Sequence, residues 1–209
     1  MKLSNKFTLS RVIFAPIFFF LYNIPLWMPS VPLLSKVSAV VLIPLLVLFE
    51  LTDYFDGHYA RKNGEVSDFG KLFDPFADVM LNLSVFLCAV SSAYMPVVLF
   101  VLIFYREFSQ NFLRTVAISK GTAVAAKKGG KFKTVFYIFS AFSFLAVECA
   151  RRLGVVGPGA VMRAARATLV VLFSLCALFS YVSFIDYIKS FVPVFMGKSD
   201  EEERDGFRT

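Results

Sequence analysis

The chain of 209 residues is 57% hydrophobic and contains 26 Phe, whereas soluble domains are usually about 45–50% apolar. Its formal net charge is +7, although only 18% of the residues are charged. In so apolar a chain, a basic excess fits cytoplasmic loops and anionic lipid or phosphate ligands better than nucleic acid. The composition therefore argues against a soluble protein and against a nucleic-acid partner.

The amino-terminal segment is short and basic, and a charge-free stretch over residues 12–35 follows it. This order of features also occurs in secretory signal peptides. No small-x-small cleavage site follows the stretch, and more segments of the same kind occur later in the chain. We therefore interpret it as a membrane helix that the mature protein retains.

Six apolar segments are long enough to span a bilayer, which takes about 20 residues each. They cover approximately residues 10–28, 33–62, 70–92, 95–119, 131–151 and 166–195. We predict an all-α integral membrane protein with a six-transmembrane-helix bundle, formed by one domain over residues 1–197 and followed by a polar tail over 198–209.

Lysine and arginine precede the first segment and occur between the second and third and between the fourth and fifth. These connections share one side of a six-span bundle, so the positive-inside rule puts them and both termini in the cytoplasm. The last connection disagrees, because four arginines would lie on the opposite side: Arg151, Arg152, Arg163 and Arg166.

The lengths of the segments predict a polar cavity. Only 27 uncharged residues separate Asp78 from Arg106, whereas two spans need about 40. The hairpin can cross twice only if its charged ends enter the bilayer. Ionisable groups at that depth usually face a polar cavity and have partners. We therefore expect a charged cavity in the cytoplasmic half.

The end of the second segment carries two acids and two small residues on one predicted helix face. Asp53, Asp56, Gly57, Ala60 and Arg61 follow the spacing i, i+3, i+4, i+7 and i+8, which aligns them along one side of a helix. The small residues would let a bulky ligand approach the backbone closely.

The next segment presents a matching face through Gly70, Asp74 and Asp78, which are spaced four residues apart. Four carboxylates that converge cannot all remain ionised without cations. Oxygen ligands of this kind suit Mg²⁺ or Mn²⁺, and a pair of such ions often serves phosphate chemistry. The alternative is a structural charge network in which Asp56 pairs with Arg61.

The same residues form the pattern D-x2-D-G-x2-A-R-x8-G-x3-D-x3-D over residues 53–78. This pattern resembles that of the CDP-alcohol phosphotransferases. The resemblance implies six transmembrane helices, a homodimer and two divalent metal ions. It further implies that Asp53, Asp56 and Asp74 hold metal at the diphosphate of CDP-diacylglycerol, and that Asp78 joins the metal site and acts as the general base.

Other residues of the CDP-diacylglycerol site follow from the same resemblance. Gly57, Ala60 and Gly70 would line the cytidine pocket. The remaining residues predicted to bind this substrate, beside Asp53 and Asp56, are Asn5, Thr8 and Arg61.

A later stretch resembles one branch of that family, the phosphatidylglycerophosphate synthases. Arg106-Glu107-Phe108, Leu113-Arg114 and the segment from Gly130 to Thr134 carry the resemblance, together with Gly121 and Ala125-Ala126. Val79 and Tyr137 depart from the usual pattern, in which Lys and Gln are common. This branch uses glycerol 3-phosphate as its acceptor.

Glycerol 3-phosphate is a small dianion, so its site needs several fixed cations, for which arginine and lysine are both suited. The ordinary cytoplasmic bias of basic residues is the alternative explanation. The predicted acceptor-binding residues are Arg11, Arg106, Arg114, Lys131 and Lys133.

These features predict transfer of a phosphatidyl group from CDP-diacylglycerol to glycerol 3-phosphate with release of CMP, in a bacterial cytoplasmic membrane. The alternatives are a sibling enzyme with another acceptor, as in cardiolipin or phosphatidylinositol phosphate synthesis, an intramembrane prenyltransferase, and a divalent-cation transporter.

Overall fold

The computed structural model describes the backbone of residues 3–62, 68–119 and 128–195 and the side chains of residues 8–52, 70, 72–119 and 132–192. Within these ranges every regular element is an α-helix. The six helices are α1 (Leu3–Trp27), α2 (Pro32–Lys62), α3 (Asp68–Ser91), α4 (Val97–Ser119), α5 (Lys128–Arg152) and α6 (Ala160–Phe195).

Each helix corresponds to one of the six predicted segments, and the differences lie at their ends. Helix α6 begins at Ala160 rather than near 166, directly after Gly157-Pro158-Gly159. Helix α1 likewise begins at Leu3 rather than near residue 10. A boundary predicted from hydropathy falls where charged residues begin. A helix continues through charged residues for as long as its backbone keeps helical dihedral angles.

Five of the described helices are long and apolar enough to cross a membrane. The candidate spans are Thr8–Trp27, Pro32–Thr52, Leu72–Ser91, Phe132–Arg152 and Ala160–Val192. The chain is therefore an integral membrane protein. Helix α4 is similar in length but carries charged residues at its middle, including Arg106 and Glu107, and these lower its hydropathy.

Helices α1 and α3 pack side by side and form the most extensive helix pair of the bundle. Helix α2 packs on α1, α5 bridges α2, α3 and α6, and α4 lies against α3 and α6. Aromatic rings fill the shared core; Phe86 of α3 contacts both Tyr137 of α5 and Phe173 of α6. Many other large apolar side chains face outward, as expected where lipid replaces water.

A buried carboxylate lies at the end of the bundle where α5 terminates. Glu148 is fully buried and accepts two hydrogen bonds from Arg151, at 2.8 and 2.7 Å, and one from Arg152 at 2.7 Å. The hydroxyl of Tyr94, in the α3–α4 connection, also donates to Glu148 at 2.9 Å. Burial and the neighbouring Glu148 carboxylate raise the pKa of Tyr94 to about 12, so the phenol remains a donor at neutral pH.

Arg152 connects the Glu148 cluster to two further helices, α1 and α2. Its Nη1 donates to Ser38 Oγ at 2.6 Å, and its Nη2 donates to the backbone carbonyl of Tyr22 at 3.0 Å. The guanidinium also lies over the Tyr22 ring, 4.3 Å from the centroid. Two of the four arginines that disagree with the positive-inside rule are thus paired with one carboxylate and hold α1, α2 and α5 together.

We predict that Glu148→Gln destabilises the protein by about 3 kcal/mol, because removal of one partner leaves buried guanidinium groups without a compensating anion. The melting temperature of purified protein in a neutral detergent should fall by roughly 5–10 °C. Asp186→Asn, which changes a partly buried acid on α6, is the matched control and should leave the melting temperature within about 2 °C of wild type. Equal melting temperatures for Glu148→Gln and wild type would contradict a structural role.

Candidate active site

Two aspartates on α3 are paired with two polar residues on α1. Thr8 donates its hydroxyl proton to Asp74 Oδ1 at 2.6 Å, and the Arg11 guanidinium forms an ion pair with Asp78. The spacing is three residues on α1 and four on α3, so each pair lies about one helical turn from the other. Thr8 and Arg11 are buried, whereas the side chain of Asp78 is 45% exposed.

This arrangement explains why a polar face of α1 packs against the acidic start of α3. A carboxylate at this depth in an apolar bundle needs hydrogen-bond donors or opposite charges. Thr8 supplies a hydrogen-bond donor, and Arg11 supplies an opposite charge. The predicted alignment of Asp74 with Asp78 on one helix face is seen directly, and Gly70, one turn earlier on α3, is buried.

For Asp53 and Asp56, the acids of α2, the structure describes the backbone but not the side chains. Residues 53–62 continue α2 without a break, so Asp53, Asp56, Gly57, Ala60 and Arg61 occupy helical positions as predicted. Their side chains lie outside the described part of the chain, as do those of Asn5 and Lys131. Convergence of four carboxylates stays a prediction.

The donor set fits a hard divalent ion as far as it is described. Asp74 and Asp78 supply carboxylate oxygens from one helix face, with a threonine hydroxyl beside them. No group of three or more metal-ligating side chains occurs among the side chains described. A site for Mg²⁺ or Mn²⁺ would need the two carboxylates of α2 as well.

A second charged cluster surrounds Glu107 on α4. Its carboxylate is 3% exposed and accepts from Arg106 at 2.7 Å, from Lys133 at 2.9 and 3.1 Å, and from the Tyr137 hydroxyl at 2.8 Å. The Nε of Arg106 also donates to the backbone carbonyl of Ser180 at 2.9 Å. One acid thus fixes two of the predicted acceptor-binding cations, from α4 and α5.

The cluster carries more positive than negative charge. Arg114 lies near enough to interact electrostatically with Lys133 of α5 and with Tyr187 of α6. Among the described side chains of this cluster, Glu107 is the carboxylate that pairs with Arg106 and Lys133. In addition, Arg106 Nη2 is buried with no hydrogen-bond partner in the described structure. A surplus of this kind favours an anionic ligand.

The structure separates the predicted acceptor cations into two groups. Arg106, Arg114 and Lys133 gather between α4, α5 and α6, whereas Arg11 lies on α1 against Asp78. Sequence reasoning gave no binding role to Glu107 or Tyr137. The signal available was the acid at position 107 beside Arg106 in an apolar segment, since a carboxylate at membrane depth must have cationic partners.

Comparison with known proteins gives the class of this membrane bundle. Residues 1–179 match the family model described as CDP-alcohol phosphatidyltransferase. The match covers α1 to α5 and residues 160–179 of α6, and it includes Asp74, Asp78 and Glu107. The chain belongs to the CDP-alcohol phosphatidyltransferase family and is an enzyme of that type.

Curated relatives carry a more specific name than the family model does, and three of them share it. A CDP-diacylglycerol–glycerol-3-phosphate 3-phosphatidyltransferase of Treponema pallidum is 38% identical over 197 residues, which cover 93% of this chain and 91% of the relative. The Bacillus subtilis protein of that name is 34% identical over 69% of this chain and 76% of its own length. The Rickettsia typhi protein is 32% identical over 66% and 73%.

We predict that Glu107→Gln lowers the free energy of unfolding by about 3 kcal/mol, because Arg106 and Lys133 lose their common anion. Tyr137→Phe is the matched variant: it removes one neutral donor and should cost only about 1 kcal/mol. Thermal unfolding of both proteins in the same detergent measures the difference. A larger loss in Tyr137→Phe than in Glu107→Gln would show that the carboxylate does not organise this cluster.

Proposed function

We propose that this protein transfers the phosphatidyl group of CDP-diacylglycerol to glycerol 3-phosphate and releases CMP, producing phosphatidylglycerophosphate. The observation that carries the proposal is the pairing of Asp74 and Asp78 with Thr8 and Arg11 across α1 and α3. It arranges half of the family's acidic motif on one helix face. The common name of the relatives supports the choice of acceptor.

We infer that Asp53, Asp56, Asp74 and Asp78 hold two divalent ions, Mg²⁺ or Mn²⁺. Such ions would neutralise the diphosphate of CDP-diacylglycerol and the charge that develops on the leaving CMP. Asn5, Thr8, Gly57, Ala60, Arg61 and Gly70 would complete the site for this substrate. The buried Thr8 hydroxyl fixes the orientation of the Asp74 carboxylate, and Gly70 lies one helical turn before it.

Asp78 accepts the proton from the acceptor hydroxyl. Its side chain is partly exposed, unlike that of Arg11, so the carboxylate can face a substrate while it remains paired with the guanidinium. The freed oxygen attacks the phosphorus that carries diacylglycerol. Catalysis by the chain is then mainly positioning and charge stabilisation.

The phosphate of glycerol 3-phosphate binds at the cationic cluster. Arg114 provides a partly exposed charge, Lys133 and Arg106 contribute from mostly buried and fully buried positions, and Lys131 lies on the same helix as Lys133. Arg11 is buried in its ion pair with Asp78, so its part in acceptor binding would be to hold that carboxylate in place. Glu107 holds Arg106 and Lys133 in place.

The arrangement in the membrane is part of the same proposal. Helix α4 forms a sixth span, since its charged residues face α5 and α6. The positive-inside rule then places the charged cavity and both termini in the cytoplasm. The protein would lie in a bacterial cytoplasmic membrane as a homodimer.

Purified protein with Mg²⁺ should release CMP from CDP-diacylglycerol when glycerol 3-phosphate is supplied, and much less with serine, inositol phosphate or phosphatidylglycerol. Asp78→Asn should lower kcat by roughly 10²–10⁴-fold, because the amide cannot accept the proton. Asp186→Asn is the matched control and should retain activity. Wild-type rates in Asp78→Asn would exclude this residue as the base, and CMP release with another acceptor alone would exclude the proposed product.

Arg114→Gln and Lys133→Gln should each raise the KM for glycerol 3-phosphate by roughly 10- to 100-fold, since each removes a charge-assisted contact to phosphate. The KM for CDP-diacylglycerol should change little. Steady-state assays that vary one substrate at a time measure both values. An equal rise in both KM values would indicate general disruption rather than an acceptor site.

A further inference from the structure

The end of the bundle opposite the aspartates is strongly positive. Five cationic side chains lie there on α2, α5 and α6, and the single acid among the described residues of this end is Glu148. The cations are Lys36, Arg151, Arg152, Arg163 and Arg166. The proposed topology puts this end outside the cytoplasm, where the positive-inside rule predicts few basic residues.

Glu148 cannot neutralise all of them, because its acceptor positions are already occupied. Arg151 and Arg152 donate three hydrogen bonds to its two oxygens, and the Tyr94 hydroxyl donates a fourth. The carboxylate is fully buried, so no further cation can reach it from outside. The positive charge of α6 is therefore left without a carboxylate partner.

Two exposed arginines on α6 carry that charge. Arg166 lies over the face of the Tyr94 ring, 5.0 Å from its centroid, so the buried network fixes its position without cancelling its charge. Arg163 lies one turn earlier, and its side chain has no hydrogen bond or ion pair within the described part of the chain. Both lie in the first two turns of α6, whose backbone N–H groups add positive potential.

The surroundings place this charge at the boundary of the bilayer. One candidate span ends at Arg152 and the next begins at Ala160. Apolar side chains flank the arginines and face outward: Val155 is 75% exposed and Val161 is 69% exposed. A phosphate with acyl chains attached matches this combination of fixed cations and an apolar border.

We propose that Arg163 and Arg166 form a binding site for the phosphate of an anionic phospholipid in the outer leaflet. A zwitterionic lipid brings its own ammonium group into the same positive field and binds less well. The site is separate from the acidic motif and does not depend on the reaction that the protein catalyses.

Native mass spectrometry of the purified protein, titrated with phosphatidylglycerol or phosphatidylcholine in a neutral detergent, tests this site. Wild type should retain one more phosphatidylglycerol than the double variant Arg163→Gln/Arg166→Gln. The apparent Kd for that lipid should rise by roughly 10- to 30-fold, given the attraction of each basic residue for anionic lipid. Lys189→Gln, an exposed cation near the other end of α6, is the control and should behave as wild type.

Further variants distinguish charge from fold. Arg163→Lys/Arg166→Lys keeps both charges and should retain most of the binding, and Arg163→Gln alone, which disturbs no contact, should lose part of it. Inorganic phosphate at millimolar concentration should not displace the lipid, because it lacks the apolar part. Unchanged phosphatidylglycerol binding in Arg163→Gln/Arg166→Gln, equal binding of phosphatidylcholine by wild type, or displacement by phosphate would each overturn the proposal.

Discussion

Carboxylates inside an apolar bundle must be compensated by cations or hydrogen-bond donors, and the architecture of this protein depends on that requirement. An isolated ionised acid at such depth is too costly to persist. Asp74 and Asp78 meet α1 through Thr8 and Arg11, Glu107 joins α4 to α5, and Glu148 connects α5 to the α3–α4 connection. Polar pairing therefore links helices that are distant in sequence.

The two ends of the bundle use this pairing differently. Glu148 is fully buried, and hydrogen-bond donors surround its carboxylate. A network of this kind is suited to holding helices together. Near α3 the Asp78 side chain remains partly exposed, and around Glu107 positive charge exceeds negative charge. An exposed acid can bind a metal ion and surplus cations can bind an anionic substrate, whereas a closed network can do neither. This contrast in exposure separates the proposed catalytic end from the structural end.

Much of the fold and of the site could be predicted because both depend on local patterns. Apolar segments of membrane length gave the six helices, and the i, i+4 spacing gave the shared face of Asp74 and Asp78. The starts of α1 and α6 were placed late, since hydropathy responds to charges such as Arg163 and Arg166 rather than to backbone geometry. The pairing of Thr8 with Asp74 was not foreseen, although both residues had been assigned to the site, because their separation of 66 residues leaves no local signal.

The membrane class, the helix count and the acidic motif follow from residue type and from spacing along one helix, which are local properties. Which charges meet depends on how the helices pack against one another. This packing placed Glu107 between Arg106, Lys133 and Tyr137, and it turned two arginines of the α5–α6 region inward onto Glu148. Such contacts depend on how helices distant in sequence rotate against one another, and that rotation is set by satisfying all buried charges at once.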